Sequence, residues 1–156
     1  METFDTPPSM RAWSNTRHAE GATIAMVPTM GALHDGHLSL MREGLDRCDL
    51  VVASIFVNPL QFNRPDDFDL YPRTTERDLE LCAEVGVAAV YAPTAAAMYP
   101  PGFQTHVEPG QLAETLEGAG RPGHFRGVTT VVTKLFNAVR PDVALFGLKD
   151  FQQLAI

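Results

Sequence analysis

The sequence predicts an α/β fold in which helices cover both faces of a parallel β-sheet. Short apolar runs alternate along the chain with segments of helical spacing, and each apolar run is continuous instead of alternating with polar residues. Strands that are apolar on both faces are typical of parallel sheets with a helix layer on each side. A length of 156 residues suits one domain of this class.

Four apolar runs bounded by turn residues are predicted to be buried strands. In chain order they are Ala22–Val27, Leu50–Val57, Ala88–Pro93 and Val143–Gly147. The proline-broken segment 95–110 is expected to be a loop with one more short strand at Gln104–Val107.

Four segments of helical spacing complete the alternation. They are Gly36–Cys48, Thr74–Gly86, Val128–Arg140 and Lys149–Ile156. The second has a threonine cap and acidic residues in its first turn, and it stops at Gly86. Ligands of parallel sheets bind where strands end and helices begin, so segments 28–37 and 147–153 are predicted to form the functional edge.

Composition and charge exclude several classes of function. Apolar residues make up 45% of the chain, but no apolar run approaches the ~20 residues of a membrane span. Residues 1–13 lack the features of a signal peptide, so a cytoplasmic location is expected. The net charge of −7 argues against nucleic acid as a partner. Cys48 and Cys82 have no Cys-x-x-Cys spacing and are predicted to be buried thiols.

The stretch VPTMGALHDGHLSLM, Val27–Met41, leads from the first predicted strand into a helix. Its segment from Gly31 to Leu38 is a near miss to the phosphate-loop pattern G-x-x-x-x-G-K-[ST], because His37 replaces the lysine and Leu38 has no hydroxyl for magnesium. The dinucleotide pattern G-x-G-x-x-G fails as well, since residue 33 is a leucine. Neither common nucleotide loop is therefore predicted.

What remains is a glycine-eased turn with His34 just before the helix and His37 in its first turn. The unpaired N–H groups and partial positive charge of a helix start favour an anion, and an imidazole adds a donor or a proton. The two rings are predicted to converge on a phosphate. Two other interpretations stay open: a metal site, with only Asp35 at hand as a third ligand, and a structural pair of surface histidines.

Polar residues also follow the second and the last predicted strands. The amides of Asn58 and Gln61 could hold a carboxylate or a hydroxyl without adding charge, although a turn built on Asn-Pro explains Asn58 well and Gln61 poorly. Lys149 is a candidate phosphate clamp and Asp150 a candidate acceptor for ribose hydroxyls. A solvated lysine and a helix-capping aspartate are the alternatives.

The glycine-rich segment AGRPGHFRGV, residues 119–128, contains three basic side chains. Arg121, His124 and Arg126 could form an anion-binding lip or simply a basic loop, and composition does not rank the two.

Six stretches of the sequence resemble the pantoate–β-alanine ligase family and occur in the family's order. They are PTMGALHDGHLSLM, SIFVNPLQF, DLYPRT, AAAMYP, GRPGHFRGV and FGLKDFQQ. The His-x-x-His element alone would indicate only the wider nucleotidylyl transferase superfamily. The six stretches together are specific, and they cover nearly the whole chain from Ala22 onward.

The resemblance implies a Rossmann-like, three-layer α/β/α domain that binds ATP, with Mg²⁺ as cofactor and a homodimer as the assembly. The implied reaction condenses pantoate with β-alanine to pantothenate through a pantoyl adenylate, releasing AMP and pyrophosphate. The residues implied to line ATP are Met30, Gly31, Ala32, Leu33, His34, Asp35, Gly36, His37, Gly147, Leu148, Lys149 and Asp150.

The resemblance also implies individual roles. The catalytic residues are His37 as proton donor, with His34 and Lys149 at the phosphates. The substrate residues are Pro28, Asn58, Gln61 and Gln153. Of these, the two glutamines are implied to hold pantoate, and Gln61 also to meet β-alanine. Pro28 and Met30 are natural apolar neighbours of pantoate's gem-dimethyl group.

Members of the family are nearly twice as long as this chain, and many carry a polar residue in place of Leu148. The resemblance therefore implies that residues 1–156 are an N-terminal ATP- and pantoate-binding domain, and that a smaller C-terminal domain is absent from this chain. Two alternative functions remain: another nucleotidylyl transferase, acting on a phosphate ester, and a binding or dimerisation module without turnover.

Overall fold

The computed structural model describes residues 1–156, apart from the side chain of Pro65. Its strands are β1 (Glu2–Phe4), β2 (Ile24–Thr29), β3 (Leu50–Ile55), β4 (Ala89–Tyr91) and β5 (Val143–Ala144). They form one sheet in the order β1-β4-β3-β2-β5, and every neighbouring pair is parallel. The predicted parallel sheet is therefore confirmed.

Helices connect the strands and cover the sheet. They are α1 (Pro7–Ala19), α2 (Asp35–Arg47), α3 (Pro65–Asp69), α4 (Thr75–Val85), α5 (Ala95–Met98), α6 (Glu117–Gly120), α7 (His124–Val139) and α8 (Phe151–Ala155). Short 3-10 turns lie at Pro59–Gln61, Gln111–Glu114 and Leu148–Asp150. None of the helices in the described part of the chain combines the length and apolar character needed to cross a bilayer.

Alternate residues of the central strands face opposite helix layers. Ile24 and Met26 of β2 pack in a cluster with side chains of α1 and α7. Ala25 and Val27 pack in a second cluster, with side chains of α2 and α4. All four are fully buried, as the continuous apolar run requires. The three-layer α/β/α arrangement is confirmed, and so is the burial of both cysteines.

β2 runs through Pro28, although a proline cannot donate to a ladder. The carbonyls of Ile24 and Met26 face β5 and accept from the N–H groups of Asp142 (2.8 Å) and Leu145 (2.9 Å). Pro28, two residues further on, faces the same side beyond the end of β5, where no ladder N–H is needed. A proline therefore fits at the functional edge of a central strand.

The strand predicted at Gln104–Val107 is wrong. This segment lies outside the sheet and is held by side chains of α7 instead. The N–H of Val107 donates to Oγ1 of Thr130 (3.0 Å), and Oγ1 of Thr129 donates to the carbonyl of Val107 (2.8 Å). Threonine hydroxyls thus satisfy a backbone that has no neighbouring strand. The proline-broken region also contains α5, where the sequence prediction had only a loop.

β1 and α1 were not predicted. β1 has three residues at the edge of the sheet, and α1 buries only Met10, Trp13 and Ser14. Its apolar spacing is therefore too sparse to stand out. Other boundaries also moved: α7 begins four residues before the predicted Val128, and β5 ends before the predicted Gly147.

We expect Met41→Ala to lower the free energy of unfolding by about 2–5 kcal/mol, because the Met41 side chain is fully buried between α2 and the sheet. Urea unfolding followed by circular dichroism measures the change. Leu45→Ala, on the same helix but 37% exposed, is the matched control and should cost clearly less. Equal losses in the two variants would contradict this packing of α2.

Candidate active site

Two histidines cap the first turn of α2. Nδ1 of His34 accepts a hydrogen bond from the N–H of Gly36 (3.1 Å), and Nδ1 of His37 accepts one from the N–H of His34 (3.3 Å). The ring centroids are 4.2 Å apart. Because each Nδ1 accepts, each neutral ring carries its proton on Nε2. Nε2–H is therefore the group that both rings can offer to a ligand.

The electrostatic surroundings keep His37 neutral near pH 7. Burial lowers the pKa of His37 below its usual 6.5, and the positive fields of His34 and Lys149 act in the same direction. The carboxylates of Asp78 and Asp150 oppose this shift. The charges of Lys149 and Asp150 belong to the turn after β5, which leaves the sheet at the same edge as the loop before α2 because β2 and β5 are parallel neighbours.

A buried carboxylate that the sequence prediction missed holds the loop before α2. Asp78 of α4 is 1% exposed, and its two oxygens accept from the N–H groups of Ala32 (3.0 Å) and Leu33 (2.8 Å). The Thr74 hydroxyl donates to the same carboxylate (3.1 Å), so the predicted threonine cap of α4 is not made by Thr74. One signal was available: Asp78 lies four residues before Cys82, on the face of α4 where an apolar residue is expected.

The glycines of this loop leave space for the Asp78 carboxylate and for the ring of His34. Gly31 has φ = +84° and Ala32 has φ = +50°, so the loop makes a left-handed turn. A Cβ on Gly31 would lie 3.0 Å from Oδ2 of Asp78, and a Cβ on Gly36 would lie 2.9 Å from the ring of His34. The spacing that resembled a phosphate loop therefore has a different physical cause.

Gln61, which follows β3, meets Met30, which follows β2. Nε2 of Gln61 donates to Sδ of Met30 (3.2 Å), while its Oε1 accepts from Nδ2 of Asn58 (3.0 Å). Asn58 is 1% exposed. Its Nδ2 also donates to the carbonyl of Gly127 (3.1 Å), and its Oδ1 accepts from the Tyr99 hydroxyl (2.7 Å). The amide of Asn58 is thus used within the protein, and it orients Gln61.

Two of the three basic residues whose role stayed open hold the backbone of Gln61. Nδ1 of His124 donates to the Gln61 carbonyl (2.8 Å), and the Arg121 guanidinium donates to the same oxygen (3.3 Å). Burial lowers the pKa of His124, which favours the neutral ring. Arg126 instead pairs with Glu108 at the surface. Residue types alone could not indicate this division of roles, because a backbone carbonyl acceptor leaves no trace in them.

The turn after β5 forms an open side of the site. Lys149 and Asp150 are exposed, and the Asp150 side chain does not cap α8. Gln153 is half-buried on α8. Its neighbour Gln152 anchors that helix, since its Nε2 donates to the carbonyls of Leu112 (2.9 Å) and Thr115 (2.7 Å).

A cavity of about 230 Å³ extends from the histidine loop. Its lining includes Met30, Gly31, Phe68, Thr74 and Asp78, but not the two histidines, Gln61 or the turn after β5. These other segments share the same edge with the cavity, because β3, β2 and β5 are parallel neighbours and the loops that follow them leave the sheet at the same end.

Comparison with protein families and curated relatives gives consistent matches. The family model for pantoate-beta-alanine ligase matches residues 2–156. The pantothenate synthetase of Geobacter sulfurreducens is 56% identical over 156 residues, which cover 100% of this chain and 55% of that protein. The pantothenate synthetase of Syntrophotalea carbinolica is 65% identical over 136 residues, covering 87% of this chain and 48% of that protein. This chain spans about half the length of the curated relatives it matches.

Solved structures agree with the family match. Pantothenate synthetase from Thermus thermophilus superposes with a TM-score of 0.90 at 47% identity, covering 99% of this chain and 54% of that chain. Pantoate-beta-alanine ligase from Francisella tularensis, complexed with beta-gamma ATP and beta-alanine, superposes with a TM-score of 0.94 at 39% identity. That match covers 99% of this chain and 59% of the other.

We expect NMR of ¹⁵N-labelled imidazoles at pH 7.5 to find His34 and His37 as Nε2–H tautomers, because both Nδ1 atoms accept hydrogen bonds. The titration midpoint of His37 should lie below 6.5. Between the lowered pKa of His37 in the folded state and the usual 6.5 of the unfolded state, the unfolded chain binds more protons. The free energy of unfolding therefore decreases as the pH falls through that window. An Nδ1–H tautomer at His37 would contradict the capping geometry.

We expect Gly127→Ala to lower the free energy of unfolding by about 1–3 kcal/mol through overpacking, because its Cβ would lie 2.7 Å from the Gln61 nitrogen and also against the Leu60 carbonyl. It should also shift the side-chain amide signals of Asn58 and Gln61 in NMR spectra. Gly120→Ala, where a Cβ meets nothing within 4 Å, is the control. Unchanged amide signals in Gly127→Ala would argue against this support of Gln61.

Proposed function

This chain belongs to the pantoate–β-alanine ligase family, and from that premise we propose that it serves the ATP-dependent condensation of pantoate with β-alanine to pantothenate. The observation that carries the proposal is the meeting, at one edge of the sheet, of a histidine-capped helix start and an oriented neutral amide. The histidines suit a phosphate, and Gln61 suits a carboxylate or hydroxyl. The two alternative functions need no such pairing.

We assign ATP to the histidine loop and the turn after β5. The proposed contacts are Met30 to His37 and Gly147 to Asp150. Lys149 lies at the phosphates and Asp150 at the ribose in this arrangement. The support is that β2 and β5 are parallel neighbours, so the loop before α2 and the turn after β5 leave the sheet at the same edge. The N–H groups of Ala32 and Leu33 are spent on Asp78, so these two residues contact ATP by other atoms.

We assign pantoate to the part of the site around Gln61. Gln61 and Gln153 hold it, Gln61 also meets β-alanine, and Pro28 and Met30 contact the gem-dimethyl group. We move Asn58 from substrate contact to the positioning of Gln61, because its buried amide already makes hydrogen bonds at both ends. Arg121 and His124 join it in that role through the Gln61 carbonyl.

The chemistry fits residues of this kind. A pantoate carboxylate oxygen attacks the α-phosphorus of ATP, pyrophosphate leaves, and the amine of β-alanine then displaces AMP from the acyl adenylate. Neither step needs a nucleophile from the protein, so the work is to position the reactants and stabilise phosphate charge. His37, as proton donor, and His34 supply Nε2–H groups to the phosphates. A neutral amide can hold pantoate by hydrogen bonds without forming an ion pair that would reduce the nucleophilicity of the attacking carboxylate.

Mg²⁺ is part of the same proposal. The described residues include no group of three His, Cys, Asp or Glu side chains that could enclose an ion. Mg²⁺ is commonly bound by one or two carboxylates together with substrate phosphates and water. Asp35 and Asp150, both exposed near His37, are the carboxylates available to an ion that arrives with ATP. When bound, it neutralises part of the phosphate charge.

The domain organisation, assembly and location are proposed from the resemblance. Residues 1–156 act as the N-terminal ATP- and pantoate-binding domain, the assembly is a homodimer, and the location is the cytoplasm. Sedimentation equilibrium measures the assembly directly.

We expect pantoate-dependent exchange of labelled pyrophosphate into ATP, since the first half-reaction is reversible. The assay is run on this chain and on a chimera in which the remaining part of the Geobacter sulfurreducens relative follows Ile156. Exchange that depends on a phosphate ester instead of pantoate would favour another nucleotidylyl transferase. Exchange by the chimera alone would make this chain a binding module, and exchange by neither would refute the proposal.

We expect His37→Ala to lower the exchange rate roughly 10²- to 10³-fold, the scale of losing one donor to developing charge. His18→Ala is the control, because His18 pairs with Asp142 (3.2 Å) at the amino ends of the strands, away from the histidine loop. Activity of His37→Ala within threefold of the parent would remove His37 from the mechanism.

A further inference from the structure

We infer that Asp78 is a positioning residue of the adenylation site: it fills the backbone nest of the histidine loop with an internal anion and thereby leaves phosphate contact to the imidazoles. The inference rests on the proposed function for its catalytic consequence. Its structural content, the link between Asp78 and the two histidines, stands on the hydrogen bonds alone.

The direction of the loop N–H groups is the first step. Successive backbone N–H groups in a left-handed turn form a concavity that binds anions, which is how glycine-rich loops hold phosphates. Here the N–H groups of Ala32 and Leu33 converge on the two oxygens of Asp78. A phosphate cannot use the same donors, so this loop is closed to phosphate at the position where a phosphate loop is open.

The second step is the strength of this clamp. Asp78 is 1% exposed and receives three hydrogen bonds, two from the loop and one from Thr74. In the described part of the chain it has no salt bridge to a lysine, arginine or histidine, so these donors are what stabilises its charge. Charge-assisted hydrogen bonds are roughly twice as strong as neutral ones. The loop geometry therefore depends on the ionised carboxylate.

The hydrogen bonds to Asp78 also affect the orientation of the histidines. Leu33 is followed directly by His34, whose N–H is the donor to Nδ1 of His37. Fixing Leu33 thus fixes the direction of the N–H on which the second ring depends. The charge acts as well: the groups that face His37 are His34, Lys149, Asp78 and Asp150, and the two carboxylates favour its protonated form. Through these contacts Asp78 sets the orientation of the second ring.

The test is Asp78→Asn, which keeps the size of the side chain and removes its charge. We expect the NMR titration midpoint of His37 to fall and the amide proton signals of Ala32 and Leu33 to move upfield. The kcat of pantoate-dependent pyrophosphate exchange should fall tenfold or more, with the KM for pantoate within twofold of the parent. Glu76→Gln, an exposed carboxylate in the first turn of the same helix, is the matched control and should change none of these.

Thr74→Val provides a second variant in case Asp78→Asn does not fold. It removes one donor from the carboxylate and should shift the Ala32 amide signal and lower exchange two- to fivefold. The inference is overturned if a folded Asp78→Asn, or Thr74→Val in its place, leaves the loop amide signals unchanged. These NMR measurements need no turnover. Absence of exchange in both this chain and the chimera would therefore refute the proposed reaction, whereas the NMR measurements would still decide the positioning role.

Discussion

The pair of hydrogen bonds from the Ala32 and Leu33 N–H groups to Asp78 is the constraint on which the functional edge depends. The loop leaves β2 through a left-handed turn that an alanine adopts only at a cost, and the buried carboxylate offsets that cost. Once the turn is fixed, His34 stands at the start of α2 and both Nδ1 atoms find backbone donors. The parallel register of β2 and β3 then brings Met30, at the beginning of the same loop, into contact with Gln61.

The hydrogen bonds around Gln61 follow from the need to satisfy buried polar groups. Polar groups buried near a ligand site must be satisfied whether or not the ligand is present, because an unpaired buried donor or acceptor is costly. Asn58 meets this requirement through Gln61, Gly127 and Tyr99. Burial raises the pKa of the Tyr99 phenol, so it remains a neutral donor at physiological pH. The network holds the amide of Gln61 in one orientation.

Patterns local in sequence predicted most of the fold and drew attention to the histidine loop of the candidate site. The continuous apolar runs identified β2, β3 and β4 because burial on both faces leaves a signal in every residue. The histidine loop was found because its glycines and its place after a strand are also local. Asp78 and the roles of Arg121 and His124 were not predicted. Their partners in the loop before α2 and at Gln61 are 45 to 63 residues away in sequence and are backbone atoms, which residue type does not reveal. For Asn58 the turn interpretation holds, since its Oδ1 accepts from the N–H of Leu60, but its link to Gly127, 69 residues away, was not predicted. The strand expected at Gln104–Val107 failed for a related reason, since its hydrogen bonds go to threonines of α7.

The missing lysine of the histidine loop follows from these contacts. In a phosphate loop the backbone N–H groups and a lysine share the anion, but here two of those N–H groups already serve an anion inside the protein. A permanent cation at position 37 would stand beside that carboxylate and be drawn to it. A neutral imidazole avoids this competition, because it donates from Nε2 while its Nδ1 is engaged by the helix cap. The two rings lie close together, and the field of His34 lowers the pKa of His37, so a second proton on the pair is disfavoured. In the proposed reaction the pair can therefore take up a single proton when negative charge builds on a leaving phosphate, and the proposed full cation, Lys149, comes from the turn after β5.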